Sequence, residues 1–444
     1  MRKTINGVSN FLIGLHPLRL VILGYISYII LGWILLSLPF AQHGPGAGAL
    51  DNLFISISAI STTGLVTLSV SDSYNIFGQI IILLFIQLGG IGYMTFSSFI
   101  ILSRKRTLSD TRTDIANVVF SLPKSFRIDK FLRSVILFTA AIETAGACCL
   151  YYIFRQAGQS HALWSAIFHS ISSFCTAGFS LYNNSFESFS GNFWLNLTVA
   201  ALSYTGAVGF IVCVDVWRRI TNKIQHVTLT TKIILHCTFW VSLIGTAILF
   251  ISEPTIQELA VEKRLVSSFF QAMTSMTTVG FNTVSISKIS RASLLLLTTL
   301  MIIGASPSGT GGGLKSTTFT ALIGIMRSTL QGKRHIYFWG RRVPNERVRL
   351  AVATFCFYVA FLLLGVYLLS FTEQMDFEAI LFESASALGT VGLSTGITAQ
   401  LSSMGKIVIT FLMFVGRLGP LTFGMSLFLR QKAVEEEKDE DVAI

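Results

Sequence analysis

At 444 residues the chain is long enough for two or three soluble domains, but 52% of it is hydrophobic and only 12% is charged, about half the charged share of an ordinary soluble domain. The net charge of +11 would suit a nucleic-acid binder. The basic residues, however, are gathered into three loops between apolar runs, which excludes that reading in favour of a bilayer protein. The loops are 103–134 (Arg104, Lys105, Arg106, Arg112, Lys124, Arg127, Lys130, Arg133), 218–232 (Arg218, Arg219, Lys223, Lys232) and 327–349 (Arg327, Lys333, Arg334, Arg341, Arg342, Arg347, Arg349). The alternating connections are poor in Lys and Arg, and 40–75 has none. The positive-inside rule then predicts that both termini and all three basic loops are cytoplasmic.

In chain order, the first apolar run, 18–40, is longer than the ~20 residues a helix needs to cross the hydrocarbon core. It is too long for a signal peptide's apolar region and no A-x-A-like site follows, so it is predicted to be a retained first helix. Next comes a shorter apolar stretch, 50–61, which suits a half-helix rather than a span, then Ser61-Thr62-Thr63-Gly64-Leu65, then a second run at 75–102. This order recurs. Residues 131–154, 162–174 and 192–217 flank Cys175-Thr176-Ala177-Gly178-Phe179; 230–252, 264–277 and 291–327 flank Thr277-Thr278-Val279-Gly280-Phe281; 348–371, 376–388 and 404–430 flank Gly389-Thr390-Val391-Gly392-Leu393. A second landmark keeps register: Gly89-Gly90-Ile91-Gly92-Tyr93, Gly206-Ala207-Val208-Gly209-Phe210 and Gly416-Arg417-Leu418-Gly419-Pro420 begin 25, 28 and 24 residues after their filter glycines, and Gly304 falls 24 after Gly280. Internal repetition of this kind predicts an all-α membrane protein of four tandem helix–pore helix–helix repeats, with eight spanning helices in pseudo-fourfold arrangement around one pore. The predicted boundaries are 1–103, 104–218, 219–328 and 329–430, followed by a charged tail at 431–444. Six cysteines without CxxC spacing are predicted to be small packing residues.

The chemistry follows from the motif. Non-helical backbone at membrane depth is tolerated only where it is buried or lines water. The C-terminal end of a half-helix aims partial negative charge at the membrane centre, favouring a cation there. Consecutive carbonyls can replace that ion's hydration shell, as in potassium-channel filters. Turning those carbonyls alike requires φ > 0, for which glycine is the cheapest residue. A single Thr-x-Gly would be explained as a helix C-cap; four in matched context point to a ring.

The third repeat differs. Its second run is interrupted by Ala305-Ser306-Pro307-Ser308-Gly309-Thr310-Gly311-Gly312-Gly313-Leu314-Lys315-Ser316, which cannot continue a helix and is too long for a kink. It nearly matches a nucleotide-binding G-x-x-x-x-G-K-[ST], but Leu314 stands at the second glycine and the flanks are membrane runs, so a P-loop is rejected. An intramembrane enzyme using Ser306 or Ser308 would need a base, and no histidine lies in the second run of any repeat. A secondary transporter with alternating access would show two related halves rather than four filter motifs. Arg417 occupies the position of Gly90 and Ala207, about half-way along its run, where an ionisable residue is expensive and functional by default. It is expected to bond carbonyls or hydroxyls of 305–316 and so hold the loop as a gate, the alternative being a helix–helix brace. Glu143 is a second intramembrane charge whose partner the sequence does not reveal. Asp215 is expected to cap a helix or to pair with Arg218 or Arg219.

Together the four Thr-x-Gly segments, Gly309-Thr310-Gly311-Gly312-Gly313-Leu314-Lys315 and Gly416-Arg417-Leu418-Gly419-Pro420-Leu421-Thr422 resemble the Trk/Ktr/HKT potassium-transporter superfamily over about residues 15–430, particularly its bacterial Ktr membrane subunits (KtrB-type). The absence of an additional N-terminal helix pair favours that branch over the larger Trk subunits. The resemblance implies potassium binding at Thr62, Thr63, Gly64, Thr176, Ala177, Gly178, Thr278, Val279, Gly280, Thr390, Val391 and Gly392. It also implies a gate of Gly309, Thr310, Gly311, Gly312, Gly313, Lys315 and Arg417, with Lys315 at the family's loop lysine. All four filter glycines are present, as in the potassium-selective members. The family further implies a homodimer in a bacterial inner membrane, a cytosolic ring of nucleotide-binding KtrA-like subunits, and sodium as an activator. The chain itself shows no nucleotide fold. The basic loops and the acidic tail Glu435–Asp441 are the expected contacts for that ring.

Overall fold

The computed structural model describes residues 17–44, 46–92 and 128–428. The acidic tail and most of the first basic loop lie outside them. The described chain is predominantly helical, with one two-stranded hairpin, Tyr337–Phe338 against Arg341–Arg342.

Four long helices form the periphery: α1 (Pro17–Ser37), α4 (Ile128–Gln156), α8 (Leu229–Ser252) and α12 (Asn345–Thr372). Each contains a stretch long and apolar enough to cross a membrane, yet only about a third or less of each stretch is buried in the protein. Large apolar side chains such as Ile34, Leu137, Phe239 and Leu363 are exposed. An apolar surface of this extent is at home in lipid rather than water. Inside the long helices lie four short ones: α2 (Ala49–Ile60), α5 (Ala162–Phe174), α9 (Val261–Thr277) and α13 (Phe377–Gly389). They are buried although rich in Ser and Thr, and their last turns carry Ser58, Ser172, Thr274 and Ser386. Their ends fall within three residues of the predicted half-helices.

The runs after the Thr-x-Gly segments depart from expectation. They were read as continuous spans except in the third repeat. Instead, α3 (Ile76–Ile91) stops at Gly92. The pair α6 (Phe193–Val208) and α7 (Phe210–Ile220) is bent by 99° at Gly209, and the pair α14 (Ser403–Leu418) and α15 (Pro420–Phe428) by 91° at Gly419. Only α10 (Arg291–Ile303) and α11 (Ser316–Leu330) are separated by a long loop. Gly92, Gly209 and Gly419 have φ of +86°, +88° and +86°, a left-handed conformation that ends a helix. Among the described residues there are therefore four helices long and apolar enough to cross a membrane, or up to six if each bent pair is counted as one.

Packing repeats along the chain. Each long helix packs on the next short one (α1 on α2, α4 on α5, α8 on α9, α12 on α13), and each short one on the helix that follows it. Between consecutive groups α3 packs on α5, α6 on α9 and α10 on α13, and α14 returns to α2. The first glycine of the second landmark explains the close approach. A Cβ on Gly89, Gly206 or Gly416 would come closer than 3.0 Å to the carbonyl oxygen of Ile60, Phe174 or Leu388, at the end of the neighbouring short helix. Gly304 instead faces Gly312 and Gly313 of the loop.

The cysteines are all free. Cys175 is buried and Cys213 and Cys237 half-buried, but Cys148, Cys149 and Cys356 are exposed on the periphery, so packing does not account for these three.

Candidate ion pathway

The four short helices end alike. The amide N–H of Thr63, Ala177, Val279 and Val391 donates to the carbonyl five residues earlier, on Ser58, Ser172, Thr274 and Ser386, at 2.8–3.1 Å. This is the bond of a Schellman-type helix end, whose penultimate residue is left-handed and usually glycine. Here that residue is Thr62, Thr176, Thr278 or Thr390, with φ of 52°, 50°, 60° and 49°. A β-branched residue in this region is a rare and strained choice. The glycines two residues on, Gly64, Gly178, Gly280 and Gly392, also have positive φ. The hydroxyls of the last turn support two of them: Ser58 Oγ and Ser386 Oγ accept from the N–H of Gly64 and Gly392, both at 3.1 Å.

The glycines meet in cyclic order. A Cβ on Gly64 would come closer than 3.0 Å to the Ala177 carbonyl oxygen; on Gly178, to that of Val279; on Gly280, to that of Val391; and on Gly392, to that of Thr63. Each segment thus abuts the next and the fourth abuts the first. On one side of this ring a cavity of about 430 Å³ is lined by all four glycines and by hydroxyl and carboxamide side chains including Thr67, Asn183, Asn282 and Thr398, with Glu187 the one charged lining residue.

On the other side lies the glycine-rich loop. Thr310 Oγ1 is 3.0 Å from Thr176 Oγ1 and donates to the Phe174 carbonyl at 3.1 Å. The Gly312 N–H donates to Thr278 Oγ1 at 3.1 Å, and Thr62 Oγ1 donates to the Thr310 carbonyl at 3.3 Å. Thr390 Oγ1 has no hydrogen-bond partner among the described residues and lies against Gly312, where a Cβ would overlap it. All four left-handed threonines therefore face the loop. Its other side is held by the N–H groups of Ser306 and Thr310, which donate to the carbonyls of Ala207 and Gly206 at 3.0 and 3.1 Å. Lys315 Nζ folds back on the Gly311 carbonyl at 2.5 Å.

Arg417 is half-buried at the junction. Its guanidinium donates to the Thr310 carbonyl and the Gly89 carbonyl, and at 2.9 Å to Thr62 Oγ1. It joins the loop, the first Thr-x-Gly segment and α3, so it bonds the loop and braces a helix contact at once. Glu143 finds its partner in another repeat: Gln87 Nε2 donates to it at 2.9 Å, and the Cys175 thiol lies 3.8 Å away. Asp215 caps rather than pairs, its Oδ2 accepting from the Thr228 N–H and from Thr231 Oγ1, both at 2.7 Å.

Sequence reasoning missed Glu383, a fully buried carboxylate in α13 that accepts from the Thr398 hydroxyl. An acid in the middle of the half-helix, away from the Glu378 of its first turn, was the available signal. No group of three or more potential metal-ligating His, Cys, Asp or Glu side chains occurs among the described residues.

A multi-pass helical protein with backbone segments buried at its centre defines a membrane transport protein. The model of the TrkH family, described as a cation transport protein, matches residues 26–438, and the chain belongs to that family. It is 33% identical over 417 residues to the Ktr system potassium uptake protein B of Bacillus subtilis, covering 92% of each chain. It is 32% identical over 432 residues to the potassium/sodium uptake protein NtpJ of Enterococcus hirae, covering 95% of each. The crystal structure of the potassium transporter TrkH from Vibrio parahaemolyticus shares the fold, with a TM-score of 0.71 at 20% identity over 91% of this chain and 84% of that one.

Proposed function

We propose that this protein is the ion-conducting membrane subunit of a bacterial potassium-uptake system, with four tandem units (1–103, 104–218, 219–328 and 329–430) arranged pseudo-fourfold about one pore. The cyclic contact of Gly64, Gly178, Gly280 and Gly392 with the carbonyls of their neighbours carries this reading. Four backbone segments meeting at one axis stack rings of oxygens that stand in for the water a potassium ion sheds. The ion sites are Thr62, Thr63, Gly64; Thr176, Ala177, Gly178; Thr278, Val279, Gly280; and Thr390, Val391, Gly392.

Loop 305–316 is the gate. Lying against the four threonine hydroxyls, it covers the inner end of the filter, and Arg417 adds a positive charge beside the exit. Conduction requires the loop to withdraw, which breaks the Arg417–Thr310 and Gly312–Thr278 bonds. The hydroxyls so released become ligands for a departing ion. Both termini are cytoplasmic, as the positive-inside pattern of the basic loops supports, and the subunit is a homodimer regulated by a cytosolic nucleotide-binding ring, the similarity to a Ktr system protein B supporting a partner subunit. The Enterococcus relative, whose name includes sodium, favours a second reading in which sodium is also carried or coupled.

The test is flux into proteoliposomes containing the purified chain, comparing potassium, rubidium, sodium and a neutral solute. Potassium and rubidium are expected to enter well ahead of sodium. Equal entry of all three cations, or entry of the neutral solute, overturns the reading.

A further inference from the structure

Seven residues before each left-handed threonine, the four short helices carry Ile55, His169, Gln271 and Glu383. These positions face the segment that climbs away from the filter. His169 Nε2 lies 3.1 Å from Ser180 Oγ and accepts from the Leu181 N–H at 3.3 Å. Gln271 Nε2 donates to the Val284 carbonyl at 3.3 Å. In the fourth repeat the Thr398 hydroxyl donates to Glu383 Oε1 and lies 3.0 Å from Ser394 Oγ, which in turn accepts from the Gly396 N–H at 2.9 Å. Ile55 makes no such bond; there a neighbouring residue, Asn52, accepts from the Tyr74 hydroxyl at 2.7 Å.

Glu383 differs from its counterparts in being a carboxylate. Like Gln271, whose Oε1 is also unpartnered, it is fully buried, and its Oε2 has no hydrogen-bond partner among the described residues. A buried carboxylate held on one side only is unfavourable for stability, and Ile55 shows that packing alone is satisfied by an apolar side chain. The segment it holds also needs holding. Gly396, with a φ of +99° and nothing within 4 Å of its missing Cβ, is exposed, and besides the Ser394 bond only its carbonyl is held, by Gln400 Nε2 at 3.3 Å. That rim lines the cavity above the ring, directly after Gly392.

We infer that Glu383 is a positioning residue for ion selection: through Thr398 and Ser394 it fixes the fourth rim segment and hence the direction of the Val391 and Gly392 carbonyls. This rests on the proposed filter. Without the anchor the fourth strand relaxes, its oxygens accommodate a smaller ion, and sodium competes better with potassium. The three remaining strands, braced separately, keep the pore in place.

The experiment measures sodium inhibition of rubidium uptake in proteoliposomes for the full chain and its variants, with gel filtration as the folding control. Glu383→Leu is expected to weaken discrimination against sodium at least tenfold, and Thr398→Val to do the same. Their double variant should be no worse than either alone, because both break one link. Glu383→Gln, which keeps an acceptor for Thr398, should stay within about twofold of the parent. Parental discrimination in Glu383→Leu, or additive losses in the double variant, overturns the inference. If Glu383→Leu does not fold, Thr398→Val decides: unchanged selectivity refutes the anchor. A parent chain that does not discriminate at all refutes the filter instead, so the two failures are distinguishable.

Discussion

Replacing Arg417 by Ala should release the gate. The guanidinium makes one contact that exists only while the loop is seated, to the Thr310 carbonyl; a second, to Thr62 Oγ1 of the first Thr-x-Gly segment, does not require the loop. The third, to the Gly89 carbonyl, joins two helices and does not depend on the loop. Hydrogen bonds to a charged group are worth ~1.5–3 kcal/mol each. The single loop contact is counted as one bond of about 2 kcal/mol. Each ~1.4 kcal/mol is a factor of ten in an equilibrium, so the withdrawn loop should become roughly 30-fold more populated. Removing the positive charge lowers the barrier to a cation in the same direction. Rubidium uptake into proteoliposomes of the chain without any regulator reads this directly. Arg417→Ala should raise the initial rate by at least tenfold, while Arg417→Lys, a point charge unable to span three acceptors, should fall between. A rate within twofold of the parent for both would refute the gating argument.

Deleting residues 309–313 removes the segment that lies against the filter threonines, and is expected to raise the regulator-free rate at least as much as Arg417→Ala. Parental flux in the deletion would show that the loop does not obstruct the path. Gly280→Ala places a Cβ at a φ of +82°, within 3.0 Å of the Val391 carbonyl oxygen. Left-handed backbone costs a non-glycine residue ~1–2 kcal/mol before any clash is counted, so rubidium flux should fall below a tenth of the parent in protein that is still monodisperse by gel filtration. Glu253, at the end of α8, accepts from Ser290 Oγ at 2.8 Å and from the Ser290 N–H at 3.2 Å. Glu253→Ala leaves those donors unmet and should destabilise the protein by about 1–3 kcal/mol, measured as a lowered thermal midpoint in detergent with potassium selectivity unchanged.

The half-helices were legible because a dozen apolar residues ending in Thr-x-Gly recur in matched context, and repetition supplies what one short motif lacks. The left-handed conformation of the central threonines was not, because the rule linking φ > 0 to glycine points two residues downstream of Thr62, Thr176, Thr278 and Thr390. Their left-handed backbone goes with the bond closing each helix end, five residues back, and with the neighbouring segment, which is remote in sequence. The breaks at Gly209 and Gly419 were missed for a related reason. In Gly206-Ala207-Val208-Gly209 the first glycine permits close helix packing and the second ends the helix, and sequence alone does not separate the two roles. Glu143 and Arg417 stood out as intramembrane charges, but their partners come from other repeats: Gln87 for Glu143, and Thr62, Gly89 and Thr310 for Arg417. Such pairings become visible only once the chain is folded.

The near-right-angle turns at Gly209 and Gly419 carry a mechanical consequence. A straight rod would transmit a push from one face of the membrane to the other, whereas a rod cut by a swivel does not. Movement of α7 or α15 can therefore swing without twisting the upper halves that clamp the ring. On the proposed reading, the exit of ions and the choice of ions would then be set by different parts of the molecule.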